Sequence, residues 1–244
     1  MQTIIGIVGV KTSGKSTVAE MIQKHLPDGQ VVELALADKL KNICAKTFDL
    51  PREAFDDQRY KEVPFSIFRM KKFLQEQNVF EILYEFGYDY NSYKAGIKSR
   101  GLLNMQMESP RHIAQIVGTQ LLREIGDADI HCRNVSVGPA FTIISDIRFE
   151  NEHRYFKDAG YNFIPFYVHR KQAEDQVDLE NGHASETSVF KFRDNCIKIE
   201  NNGTLGDLEN SVKVAVHKYV LKVEPQETEL ETPPEEITPE DTNL

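Results

Sequence analysis

Gly9-Val-Lys-Thr-Ser-Gly-Lys-Ser16, preceded by the apolar run Ile4 to Val8, is the stretch whose reading decides the fold. It fits the pattern G-x-x-x-x-G-K-[ST] directly after a segment with the character of a buried strand. Glycines let the backbone N–H groups turn inward around phosphate oxygens, and the dipole of the helix that opens there adds to the hold on negative charge. Lys15 is placed to bridge outer phosphates and Ser16 to ligate a magnesium ion. A glycine-rich turn with an exposed lysine is the alternative. The order strand, loop, then a helix with apolar Val18, Met21 and Ile22 favours the phosphate loop, so a nucleotide is the expected ligand.

Outward from that loop the chain alternates between strand and helix patterns. Strands are predicted at Thr3–Val8, Val31–Leu36, Phe141–Ser145, Asn162–Val168 and Cys196–Ile199. Helices are predicted from Lys15 to about Leu26, over Asp38–Phe48, from Ser109 to about Ile125, and over Phe149–Ala159 and Leu205–Leu221. This alternation implies an α/β fold with a five-stranded parallel sheet covered by helices. Between Arg52 and Glu108 it stops. The polar, aromatic-rich segment there has several weak helical patterns and is expected to be a largely helical insertion, 52–108, over the substrate side of the sheet.

The chain has 244 residues and a formal net charge of −9. From Glu224 to Leu244 there are eight acidic residues, no basic ones and four prolines, so residues 1–223 carry a net charge of only about −1. Residues 1–223 therefore read as one domain and 224–244 as a disordered acidic tail. Near-neutrality of the domain gives no indication of a generic nucleic-acid surface. Cys44, Cys132 and Cys196 are far apart, odd in number and outside any C-x-x-C pair, which argues against a disulfide framework or a zinc knuckle. No stretch approaches the roughly 18 apolar residues of a membrane span, and no basic region precedes an apolar signal core. A cytoplasmic protein without membrane contact is expected, with homodimerisation left open.

Later segments supply candidates for chemistry. The strand at Phe141–Ser145 delivers Asp146 to its carboxyl end, the edge where open parallel sheets bind ligands. That carboxylate suits the second side of a phosphate-bound magnesium, directly or through water. It equally suits an N-cap for the helix at Phe149, and both roles are compatible. Arg148 sits near the same rim, either reaching a phosphate or solvated. In the helix after Ser109-Pro110, Arg111, Gln115, Thr119 and Arg123 form a polar series, while Ile113, Val117, Leu121 and Ile125 form an apolar one about 200° away. One stripe packs on the sheet; the other faces a cleft or water. Arg170 and Lys171 open a polar segment, about 169–190, that is either a lid over phosphates or a solvated loop. Asp38, Lys39, Lys41 and Lys61-Glu62 are not selected by spacing. His183-Ala-Ser-Glu186 does not define a catalytic triad, whose members meet only in the fold.

Taken as an ordered set, several of these pieces resemble the phage-type deoxynucleoside monophosphate kinases, a branch of the P-loop nucleoside monophosphate kinase fold. The pieces are Gly9 to Ser16, Ala37 to Lys41, Lys61-Glu62, Ser109-Pro-Arg111 with Gln115 and Gly118-Thr119, Ser145-Asp-Ile-Arg-Phe149 with Asn151-Glu152, and His183 to Glu186. The resemblance spans roughly Met1 to Leu221. It implies transfer of the ATP γ-phosphoryl group to a deoxynucleoside monophosphate, with magnesium, in the cytoplasm, or in the host cytoplasm for a phage protein. By the same resemblance the donor site comprises Gly9, Lys11, Thr12, Ser13, Gly14, Lys15, Ser16 and Thr17, with Arg170 from the lid. The acceptor site comprises Asp38, Arg111, Gln115 and Arg148. Lys15, Arg111 and Arg148 act in catalysis, and Ser16 and Asp146 hold the metal. His131-Cys132 departs from the aromatic residue that the family pattern leads one to expect nearby.

Rival readings differ in acceptor or class. A P-loop kinase of another small metabolite, of the dephospho-coenzyme A type, shares the core, because the loop says little about the acceptor. An ATP-binding assembly protein would hydrolyse ATP without an acceptor. A switch GTPase would carry D-x-x-G and N-K-x-D; Phe149 stands where the glycine belongs and N-K-x-D is absent from the sequence.

Overall fold

The computed structural model describes residues 2–57, 59–68, 71–138 and 140–223. The tail at 224–244 lies outside the described residues. Strand β1 (Thr3–Val8) is buried along its whole length. A strand buried on both faces belongs at the centre of a parallel sheet with helices above and below. The elements then run α1 (Lys15–Lys24), β2 (Val31–Leu34) and α2 (Asp38–Thr47). Next come β3 (Lys72–Phe73), α3 (Glu76–Glu85), α4 (Tyr90–Ser99) and β4 (Gln106–Met107), followed by α5 (Pro110–Gln115) and α6 (Ile130–Arg133). The chain closes with β5 (Phe141–Ile147), α7 (Glu150–Asp158), β6 (Asn162–His169), α8 (Lys171–Glu174), α9 (Ala184–Thr187), β7 (Ile197–Glu200) and α10 (Leu205–Ala215).

Five strands pair in the order β2-β5-β1-β6-β7, all parallel, in line with the α/β reading. Side-chain alternation along β1 divides the core in two. Ile5 and Ile7 pack with Val18 and Ile22 of α1 and with Leu208 and Val212 of α10. Ile4 and Val8 face the other way, toward Ile144, Phe156 and Phe192. At Gly6 a Cβ would come within 2.6 Å of the Phe163 ring, so a side chain there would force that ring of β6 to move.

A third core gathers α2, α3, α4 and α5 around Leu40, Leu83, Ile97 and Val117. The insertion thus has its own packing centre, anchored on the helix that carries Arg111. Besides α3 and α4 it contains two short 3₁₀ turns, Arg52–Phe55 and Phe65–Phe68, and the antiparallel pair β3–β4. That two-residue ribbon was not expected: periodicity cannot register strands so short.

The single helix expected from Ser109 to about Ile125 is a composite. Ser109 caps it by accepting from His112 N at 3.2 Å, and Pro110 occupies its first turn. From Ile116 to Arg123 it widens to π-helical bonding. An α-helix would rotate residues four apart steadily off one face; the wider π turn counters that drift. Arg111, Gln115, Thr119 and Arg123 consequently all face one cleft, while Ile113, Val117 and Leu121 are fully buried.

Candidate active site

The loop between β1 and α1 has the conformation a phosphate cradle needs. Gly14 is the N-cap of α1 with φ 100°, ψ 21°, and contributes no side chain to the first turn of amides. A Cβ at Gly14 would also lie 2.4 Å from Asn201 Nδ2, which donates to Ser13 O at 2.7 Å and so fixes the loop from the far side of the chain. Thr12 adopts φ 61°, a strained value for a β-branched residue. First-turn amides without a capping side chain, plus the helix dipole, make an anion site.

Lys15 Nζ donates to the carbonyls of Gly9 (2.9 Å) and Val10 (2.7 Å). Enclosure of this ammonium, reinforced by the Arg148 charge, lowers its pKa to about 7. Lys61 is also depressed, to about 8, by burial first and then by Arg111 and Lys41. Two lysines held below their usual range beside two arginines define a site short of negative charge.

Beside the loop lies an open cleft of about 840 Å³, mouth included. Arg111, Gln115 and Arg148 line it together with Lys61, Thr119 and Asp146. Of the residues assigned to the acceptor, Asp38 is the one the structure does not bring to the cleft. Its Oδ1 pairs with Arg52 Nη2 at 2.9 Å and its Oδ2 accepts from Ala35 N at 3.2 Å, which ties α2 to the strand before it. Arg170, from the proposed lid, donates to Thr12 O at 3.2 Å and so does reach the loop. Ser16 is exposed at the first turn of α1 and Thr17 half-buried beside it.

Asp146 lies within β5, in the cleft wall. Its Oδ1 accepts from Leu36 N at 2.7 Å and its Oδ2 from Ala37 N at 3.1 Å, so it joins β5 to the turn that starts α2. The N-cap role at the next helix is excluded. That helix begins after Phe149, and Glu152 Oε2 accepts from the amides of Arg148 (2.8 Å) and Phe149 (3.0 Å). Glu152 is buried and pairs with Arg123 Nη1 at 2.7 Å, while the Arg123 guanidinium lies 3.8 Å from the Phe149 ring centroid. Burial raises the Glu152 pKa and the Arg123 charge opposes that rise. Sequence reasoning left this pair out of the site, although it fixes the backbone that aims Arg148. Asn151-Glu152 in the ordered motif set was the available signal.

Two further carboxylates were missed. Glu186 Oε1 accepts from Arg148 Nη1 at 2.9 Å and lies 3.4 Å from Arg111 Nη1, while its Oε2 takes the Lys11 N–H of the phosphate loop at 3.2 Å. Glu62 pairs with Lys11 and lies 3.2 Å from Arg111 Nε. His183 Nδ1 and Ser185 Oγ are 2.9 Å apart, and the same ring nitrogen accepts from Ser185 N at 3.2 Å. This pairing caps α9 locally.

His131 is buried with Nε2 3.3 Å from Gly118 O, and burial lowers its pKa to about 4. In the neighbourhood where an aromatic residue was expected, its ring stands edge-on to Phe86 at 6.4 Å. Cys44, Cys132 and Cys196 are free thiols. Among the described residues no cluster of three or more His, Cys, Asp or Glu side chains is arranged to hold a metal by itself. No described helix is long and apolar enough to cross a membrane.

No protein-family model matches the chain. A protein of Acanthamoeba polyphaga mimivirus, whose description as a deoxynucleotide monophosphate kinase is itself provisional, is 24% identical over 229 residues, covering 86% of this chain and 93% of the relative. Among solved structures, a dephospho-CoA kinase from Campylobacter jejuni matches with 13% identity and a TM-score of 0.34, covering 88% of this chain and 96% of that one. A likeness that loose carries no argument about function.

Proposed function

We propose that the chain is an ATP-dependent phosphotransferase that passes the γ-phosphoryl group of ATP to a deoxynucleoside monophosphate, giving the diphosphate and ADP. The observation that carries this reading is the adjacency of two anion sites. The loop at Gly9–Ser16 opens beside a cleft lined by Arg111, Gln115 and Arg148, and Arg148 is close enough to Lys15 to depress its pKa. The similarity to the mimivirus protein supports the choice of acceptor.

In the transfer, the bond between the γ-phosphorus and its bridging oxygen breaks with the electron pair leaving on ADP, and an oxygen of the acceptor phosphate forms the new bond. That oxygen is already anionic, so the protein supplies alignment and charge and no general base. The loop amides and Lys15 grip the donor. Arg111 and Gln115 orient the acceptor, and Arg148, at the junction, meets charge developing on the migrating group. Arg170, which donates to Thr12 O, would cover the donor in this reading.

Ser16, exposed at the first helical turn, and Asp146, in the cleft wall, are the residues that would hold magnesium. Because both Asp146 oxygens already accept backbone amides, its contribution would run through water. Bound there, the ion would neutralise charge shared by the donor phosphates.

A panel of deoxy- and ribonucleoside monophosphates and dephospho-coenzyme A, each with ATP and magnesium, tests the reading through diphosphate or other product formation. Activity confined to dephospho-coenzyme A, or ATP hydrolysis indifferent to every acceptor, would overturn it. In the same assay Lys15→Ala and Arg148→Ala should each lower turnover by about 10²-fold or more.

A further inference from the structure

The Glu186 carboxylate stands where an oxyanion is called for. It takes an N–H from the phosphate loop, at Lys11, and the guanidinium hydrogens of Arg148, with Arg111 close by. Those donors come from three separate parts of the chain, and the carboxylate reaches them from α9 in the segment 169–190. The side chain is largely buried, at 17% exposure, so this arrangement is no surface pairing. A carboxylate and a terminal phosphate share the chemistry these donors select: planar or tetrahedral oxygens bearing negative charge, gripped by guanidinium and backbone N–H.

The position also divides two cavities. On one side lies the cleft with Arg148 and Gln115; on the other lies a second opening over the loop, lined by Lys11, Thr12 and Glu62. Arg111, Gln115 and His183 border both, and Glu186 faces into the second. Glu186 therefore stands beside the boundary that Arg111 and Gln115 share between the two cavities.

We infer that the point now filled by the Glu186 carboxylate is the seat of the phosphoryl group in transit, and that Glu186 keeps Arg111 and Arg148 assembled there until a terminal phosphate displaces it. The inference rests on the phosphotransferase reading above, but it concerns the donor's last phosphate alone and is independent of which acceptor is used. Glu186 is therefore a positioning residue. Two adjacent arginines without an intervening anion would repel; the carboxylate preserves their geometry and gives it up when the γ-phosphate, with more charge and more acceptor oxygens, arrives.

Equilibrium binding of ADP and of a non-hydrolysable β,γ-imido ATP analogue to the full chain tests this without turnover. Glu186→Gln weakens the internal hold on the arginines, so the affinity for the triphosphate analogue should rise about tenfold while that for ADP, which ends one phosphate short of the seat, stays the same. An unchanged ratio of the two affinities, or a loss of both, would overturn the inference. A second measurement uses the unaltered protein. Amide hydrogen exchange across 183–187 should quicken on saturation with the triphosphate analogue and not with ADP; equal exchange in the two complexes would also overturn it. Failure of the acceptor panel would leave both results standing, so the two readings fail separately.

Discussion

Lys15 gives the sharpest test of how charge at the site is balanced. In the free protein its pKa is lowered to about 7, first by burial and then by Arg148. Phosphates on the loop supply the anion that burial denies it, so the bound-state value should return to the ordinary range near ~10.5. At pH 8 about nine-tenths of the free protein then carries a neutral Lys15, which takes up a proton when nucleotide binds; at pH 6 the uptake falls to about a tenth of a proton. Apparent ATP affinity should drop about fivefold between pH 7 and 8 and about tenfold per further unit, until the bound-state pKa is approached. Titration calorimetry at pH 8 in two buffers of very different ionisation enthalpy counts the proton directly, and Lys15→Met should abolish the uptake.

The same shift has a consequence for folding. A base whose folded pKa is lowered costs stability at every pH below the unfolded value, and the cost grows as pH falls from about 10.5 to about 7. At neutral pH its ceiling is about 5 kcal/mol. Lys15→Met removes that cost and also the two hydrogen bonds to Gly9 and Val10 carbonyls, together about 2 kcal/mol. A net gain of about 1–3 kcal/mol should remain, raising the melting temperature by several degrees in an inactive protein. No proton uptake at pH 8, uptake that persists in Lys15→Met, or a variant that melts lower would refute this account.

Other parts of the molecule yield further expectations. Arg123→Met leaves Glu152 buried without its partner and should cost about 3–5 kcal/mol in urea denaturation, with Arg123→Met/Glu152→Gln recovering more than half; a loss under about 1 kcal/mol would show that the pair is not structural. His131 stays neutral in the folded chain down to about pH 4 while the unfolded chain protonates near pH 6.5, so stability should fall by about 1.4 kcal/mol per pH unit on acidification through that window. The lowered pKa values of His25, His153 and His183 act in the same direction, and His131→Phe should flatten the curve by one proton's worth. Gly14→Ala must accommodate a left-handed backbone and a contact with Asn201, and should abolish ATP binding measured by calorimetry while costing about 1–3 kcal/mol of stability.

Much of this protein is local, and local features are readable in order along the chain. The apolar run before Gly9, the glycine-lysine-serine turn and the apolar spacing of Val18, Met21 and Ile22 fix strand, loop and helix within about twenty residues, where backbone sterics and side-chain period decide. Alternation of such units specifies a parallel sheet, and the serine and proline at 109 and 110 mark where the helix carrying Arg111 begins. The π-helical continuation was not visible, because no residue type announces i→i+5 bonding; it arises where Leu40 of α2 packs at Gly118, and Arg123 meets Glu152.

Tertiary structure alone decided the roles of the charges. Asp38 turns to Arg52, and Asp146 reaches back 110 residues to hold the amides before α2. Glu186 crosses 175 residues to reach Lys11. A carboxylate's chemistry depends on what lies within a few ångströms of it, and sequence distance carries no record of that. Residue pattern therefore specified the glycine-lysine-serine loop between β1 and α1, whereas only folding could bring the acid of one segment against the arginines of two others.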